Sequence, residues 1–199
     1  MRSRWLASDQ MQPFWLSPPA LQLRLLAWRG LMSYQEYLQI YQAIIARRPC
    51  NLLVFGRGRD SAFWTQANRA GRSAFLEDDP IWNTPLPGAQ SYLVQYETLL
   101  TQREQLLSRY QAGDREALAL HLPAEVENTR WDIILVDGPA GHSRVCPGRM
   151  KSIATAVSLR ADKWDVFIHD INRPAEKTYA DFFFGDQYET VGILRHYRS

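Results

Sequence analysis

The run Asn51-Leu52-Leu53-Val54-Phe55-Gly56-Arg57-Gly58-Arg59-Asp60-Ser61 constrains the fold more than any other stretch of the chain. Leu52 to Phe55 are apolar without alternation, which suits a strand buried on both faces, as in a parallel sheet. The strand runs into Gly56-x-Gly58, where two glycines let the backbone turn tightly and approach a ligand with no Cβ in the way. Asp60 and Ser61 stand where a helix N-cap is expected, ahead of Ala62-Phe63-Trp64. Strand, glycine turn and helix start together predict a nucleotide-type cradle lined by backbone N–H groups. A second short strand, Ser73 to Leu76, ends at Glu77-Asp78-Asp79, and Glu77 follows Gly56 by 21 residues. An acid about 20 residues on is where a dinucleotide fold meets a ribose hydroxyl. Ser61 occupies the place of the third glycine of G-x-G-x-x-G, so the pattern fits S-adenosylmethionine at least as well as NAD.

Strand and helix signals alternate along the rest of the chain. Ser33-Tyr34-Gln35-Glu36 is a capping box opening a helix that ends before Pro49. A helix is expected over 61–70 with Gly71 as its stop, and a strand at 91–96. A polar helix spans 99–110, and Trp131 to Asp137 form a second strongly apolar strand. A helix over 149–161, a strand at 165–168, a helix near 175–184 and a terminal hairpin around Gly192 follow. This order predicts an α/β fold of Rossmann-like type: a mostly parallel twisted sheet, helices on both faces and a C-terminal antiparallel hairpin. Residues 1–32, with a short helix at 20–28 stopped by Gly30, are expected to form a strap over the core or a lid; residues 33–199 form a single domain. Cys50 and Cys146 are too few for a disulfide framework and lack zinc spacing. The net charge of +2 favours no nucleic-acid partner, and no apolar run is long enough for a signal peptide or membrane span. The expectation is a soluble cytoplasmic protein of unspecified oligomeric state.

Three strand ends carry the chemistry: Gly56/Gly58, Asp137 and His169/Asp170. Ligands of an open α/β sheet bind beyond the carboxyl ends of its strands, so these clusters are expected to share one crevice. Asp137 is read as a base, a metal ligand or an anchor for a methionine amino group, with a local turn cap as the plain alternative. His169 is the preferred base, oriented by Asp137 or Asp170, with a satisfied core histidine, and a turn residue at Asn172, as the plain alternatives. No metal is expected; if one is used, Asp137, Asp170 and Asn172 are its oxygen ligands. Arg149, opening the helix after Asp137, is read either as a grip for a substrate carboxylate or as a solvated surface residue.

The segments CNLLVFGRGRDSAFW, AGRSAFLEDD, YETLL, TRWDIILVDGPAGHSRVCPGRM and DVFIHDINR resemble, in order, the plant polysaccharide-biosynthesis family that includes the glucuronoxylan 4-O-methyltransferases and the irregular-xylem proteins. The likeness spans about 33–197. It implies methyl transfer from S-adenosylmethionine to O4 of glucuronic acid. By position, it implies that Phe55, Gly56, Gly58, Asp60, Ser61, Glu77, Asp78 and Asp137 hold the cofactor. Asp137, His169 and Asp170 are implied as catalytic, and Arg149 and Asn172 as binding a sugar or uronic-acid acceptor. Arg57 and Arg59 replace the family's Leu and His, Asp78 replaces a Glu, and Gly138 replaces an Ala. The plant members carry an N-terminal anchor, which is not expected here. An NAD-dependent oxidoreductase, a metal-using methyltransferase of small phenolics and a non-catalytic scaffold are the competing readings.

Overall fold

The structure, a computed structural model, describes residues 18–30 and 32–199. Helices α1 (Pro19–Arg29) and α2 (Tyr34–Arg47) precede β1 (Asn51–Phe55), α3 (Ser61–Ala67), β2 (Arg72–Glu77) and β3 (Gln90–Leu93). Then come α4 (Arg103–Gln111), α5 (Ala124–Glu127), β4 (Trp131–Val136), α6 (Met150–Leu159) and β5 (Arg160–Ile168). Helix α7 (Pro174–Phe184) and the hairpin β6 (Glu189–Val191) and β7 (Leu194–Arg198) end the chain. The strands form one sheet in the order β3-β2-β1-β4-β5-β7-β6, with β7 antiparallel to both neighbours.

The unbroken apolar runs of β1 and β4 follow from burial on both faces. Leu52, Val54, Ile133 and Leu135 pack with Leu23, Tyr37, Ile40 and Trp64 from α1, α2 and α3. Leu53, Phe55, Ile134 and Val136 pack on the other face with Leu106, Ile153 and Tyr179 from α4, α6 and α7. Strand order reverses direction between β1 and β4, the switch point where α/β sheets open a crevice. Register aligns the strand ends there: Phe55 lies opposite both Leu76 and Val136, and Val136 lies opposite Ile168. The next residue on each strand is therefore Gly56, Glu77, Asp137 or His169, all at one level.

Several local expectations change. Helix α3 ends at Ala67 because the buried Asn68 side chain turns back to Cys50, Arg72 and Ser73. Gly71 is needed instead for close approach, since a Cβ there would lie 2.5 Å from Cys50 O. Asp60 sits at the N-cap position of α3 without a side-chain capping bond. Strand β5 starts at Arg160, earlier than expected, and shortens the preceding helix; β3 ends at Leu93. The capping box is present as read: Ser33 Oγ accepts the Glu36 N–H and Glu36 Oε2 accepts the Ser33 N–H. Leu23 and Leu26 of α1 join the core, whereas residues 1–17 and 31 of the expected strap lie outside the described residues. Among the described residues no helix is long and apolar enough to cross a membrane.

Candidate active site

The glycine turn after β1 is built by backbone contacts that only glycine allows. Gly56 has φ +96° and donates its N–H to Leu76 O. It presses against Gly138 of the turn after β4, where an added Cβ would lie 2.6 Å from Gly56 Cα. A Cβ on Gly58 would meet only Asp60 Oδ1, at 3.1 Å, so the open side of the turn is at Gly58. The Gly58 N–H is held by Ser61 Oγ at 3.0 Å.

Glu77 ends β2 and is buried. Its Oε2 accepts the Arg57 N–H at 2.7 Å, and its Oε1 accepts those of Asp78 and Asp79 at 3.0 and 2.8 Å. The acid expected on a ribose thus also ties the two turns together. Burial raises its pKa, partly offset by the Asp79 and Arg57 N–H groups. Asp78, partly buried beside it, is likewise raised by burial. The Arg57 guanidinium reaches Thr84 O and so straps the 79–88 loop to the turn. Asp60, beyond the glycines, is pushed up to about 6 by burial and by the neighbouring Asp137 carboxylate.

Beyond β4 and β5 a compact charged cluster forms. Asp137 Oδ1 lies 3.0 Å from His169 Nδ1 and 3.1 Å from an Arg149 Nη. Asp170, held at φ +61°, pairs with Arg149 at 2.7 Å and with Arg173 at 3.0 Å. Burial works to raise the Asp137 pKa, but Arg149 and His169 outweigh it and hold the group below its ordinary range. The Asp137 side chain keeps 28% exposure, and its Oδ2 has no partner among the described residues.

Two expected roles are corrected by this geometry. Arg149 is not directed at an acceptor carboxylate. Its side chain is 6% exposed and its guanidinium bonds Pro139 O, His169 O, Asp137 and Asp170. Nor does His169 face the crevice as a base, because its side chain is 2% exposed, with Nδ1 on Asp137 and Nε2 turned toward Glu36. Asn172 is exposed in the following turn.

Asp137, His169 and Asp170 offer ligand atoms within 4.8 Å of one another. They do not suit a divalent cation, because Arg149 already stands between the two carboxylates and would repel it. The residue that spacing missed is Glu36, whose approach to His169 depends on the terminal hairpin. Its only sequence signal was the capping box.

The glycine turn, the acid ending β2 and the sheet order define the class: the fold is that of the class I S-adenosylmethionine methyltransferases. The MycE methyltransferase of the mycinamycin biosynthetic pathway, solved with Mg and S-adenosylhomocysteine, shares it with a TM-score of 0.52 at 11% identity, over 92% of this chain and 49% of that one. The chain belongs to the IRX15/IRX15L/GXM family, whose profile matches residues 35–197. Glucuronoxylan 4-O-methyltransferase 2 of Arabidopsis thaliana is 39% identical over 83% of this chain and 64% of its own length. Arabinogalactan O-methyltransferase 2 of Arabidopsis thaliana is 37% identical over 83% of this chain and 66% of its own length. The chain thus spans slightly under two thirds of these relatives.

Proposed function

We propose that this chain transfers the methyl group of S-adenosylmethionine to a hydroxyl of a sugar or uronic acid within a polysaccharide. The observation that carries the reading is Asp137 Oδ2, which has no partner among the described residues, at the switch-point crevice beside a glycine turn with an open side. The relatives' names, which specify glucuronoxylan and arabinogalactan, support an acceptor of that chemistry.

The cradle supports a donor of this kind: Gly58 carries no Cβ on the open side of the turn, and the Asp60, Glu77 and Asp78 carboxylates stand in that turn and at the end of the neighbouring strand. S-Adenosylmethionine supplies a methyl group on a sulfonium, a good leaving group, so the protein has to align the acceptor and remove one proton. Asp137 does the second task. Its Oδ1 is occupied by His169 and Arg149, so Oδ2 receives the hydroxyl proton as the oxygen–methyl bond forms and the carbon–sulfur bond breaks. Arg149 and His169 act behind Asp137, keeping it ionised and fixed in rotation.

Calorimetric titration with S-adenosylhomocysteine, with NAD as control, tests the donor half. Labelled methyl transfer to glucuronoxylan and to arabinogalactan tests the acceptor half. Asp137→Asn is expected to lower turnover by about 10²- to 10⁴-fold while S-adenosylhomocysteine still binds. NAD binding in place of S-adenosylhomocysteine, or full turnover by the variant, would overturn the reading.

A further inference from the structure

In a plain capping box, the carboxylate at the third helical position serves one N–H at the start of its own helix. Glu36 does this through Oε2, at 2.6 Å from Ser33 N. Its other oxygen points inward. Oε1 accepts the Ile193 N–H at 2.7 Å, in the β6–β7 turn, and lies 3.8 Å from His169 Nε2. Both side chains are buried. Gly192, with φ +58°, makes the approach possible, because a Cβ there would lie 2.6 Å from Glu36 Oε1. The same turn grips the loop after β5, since Ile193 O accepts the Ile171 N–H at 3.0 Å.

The His169 ring therefore lies between two carboxylates, hydrogen-bonded to Asp137 on one side and 3.8 Å from Glu36 on the other. Nδ1 is on Asp137, with Asp170 Oδ2 at 3.7 Å, while Nε2 is buried with no hydrogen bond among the described residues and has Glu36 beside it. Arg149 and Arg173, at the N-caps of α6 and α7, and the carboxylates of Asp60 and Glu176 are the other charges around this cluster. A group that fixes a ligating or reacting side chain from behind controls its orientation.

We propose that Glu36 is a positioning residue of the transfer site: held by Ser33 and Ile193, it sets the plane of the His169 ring, and the ring sets the rotation of Asp137 that presents Oδ2 to the acceptor. The inference rests on the reading of Asp137 given above. It makes the start of α2 and the terminal hairpin parts of the site.

The test compares Glu36→Gln, Gly192→Ala and Ser33→Ala in the full chain. Gly192→Ala displaces Oε1 without changing a charge, and Ser33→Ala removes the cap hydroxyl while leaving the carboxylate. Long-range ¹H–¹⁵N spectra, with His169→Asn to assign the ring, report its nitrogens. Glu36→Gln and Gly192→Ala are expected to shift the His169 resonances, and Ser33→Ala is not. Turnover should fall roughly 10- to 100-fold in the first two, with KM for S-adenosylmethionine nearly unchanged. Adding Glu36→Gln to His169→Asn should cost no further turnover. Unmoved His169 resonances in both Glu36→Gln and Gly192→Ala overturn the proposal, as does a uniform loss that tracks Tm and KM. Should Glu36→Gln fail to fold, Gly192→Ala decides. A wild-type protein that binds S-adenosylhomocysteine but methylates neither polysaccharide overturns the functional reading, while the resonances still decide whether Glu36 holds the ring.

Discussion

Replacing Asp60 by Asn isolates the cost of the charge that the glycine turn carries. Burial and the nearby Asp137 carboxylate push Asp60 from 3.8 up to about 6. A raised folded-state pKa means the folded protein holds the proton more tightly than the unfolded chain. The associated stability is complete below pH 3.8 and is lost as pH rises through about 6. At about 1.4 kcal/mol for each tenfold change in proton affinity, the full loss is about 3 kcal/mol. Asp60 is not fully shut off from water, so solvent screening brings the expected value down to about 1–3 kcal/mol. Asn keeps the shape and carries no charge. Asp60→Asn is therefore expected to be about 1–3 kcal/mol more stable than wild type at pH 7.5, with the advantage closing as pH falls toward 4. Urea denaturation across that range measures it, and for a chain of this size each kcal/mol moves Tm by about 2–4 °C. A variant less stable than wild type at pH 7.5, or a difference independent of pH, would show that the Asp60 carboxylate is solvated or paired. A lower affinity for S-adenosylmethionine in the same variant would mark the gain as the cost of a charge kept for binding.

Three further outcomes follow from the same structure. Glu77→Gln keeps one carbonyl oxygen for three N–H groups, so the turns at Arg57 and Asp79 should loosen by about 1–3 kcal/mol in denaturation, and S-adenosylhomocysteine affinity should drop. Unchanged affinity and stability would remove Glu77 from the cradle. Arg149→Met leaves two carboxylates and two carbonyls facing a thioether and is expected to cost about 3–5 kcal/mol, measured by calorimetric melting; a loss under 1 kcal/mol would mean that the guanidinium is not buried as described. Asp165 lies under opposing influences: burial raises its pKa, and His196 and Arg47 lower it further than burial raises it. Its stabilisation is present above the ordinary aspartate range and disappears as pH falls through the lowered folded value, so Asp165→Asn should flatten the acid limb of the stability profile.

The fold was legible where one physical cause acted alone. Burial on both faces left β1 and β4 no room for polar residues, so their runs stood out without ambiguity. Parallel register then carried Gly56, Glu77, Asp137 and His169 to one level, which made the crevice predictable from strand ends alone. Boundaries set by a side chain returning to the backbone were not legible: Asn68 ends α3 by bonding Cys50 and Ser73, and nothing in the helical pattern announces that. The roles of His169 and Arg149 were hidden for a related reason. Spacing places a side chain on a strand end or a helix start, but its direction is decided by which partners arrive from elsewhere. For Arg149 those partners are the carbonyls of Pro139 and His169, which belong to two different turns. For His169 the bonded partner is Asp137 at the end of the neighbouring strand, with Glu36, brought in by a helix before the sheet and held by a hairpin after it, lying 3.8 Å from the ring's other nitrogen. The strand-end pattern points His169 toward a crevice, and the helix start leaves Arg149 between a grip on a substrate carboxylate and a place on the surface. The structure instead sets both against Asp137, so that one of its oxygens is held from two sides while the other has no partner among the described residues, and it is on this arrangement that the proposed role of Asp137 rests.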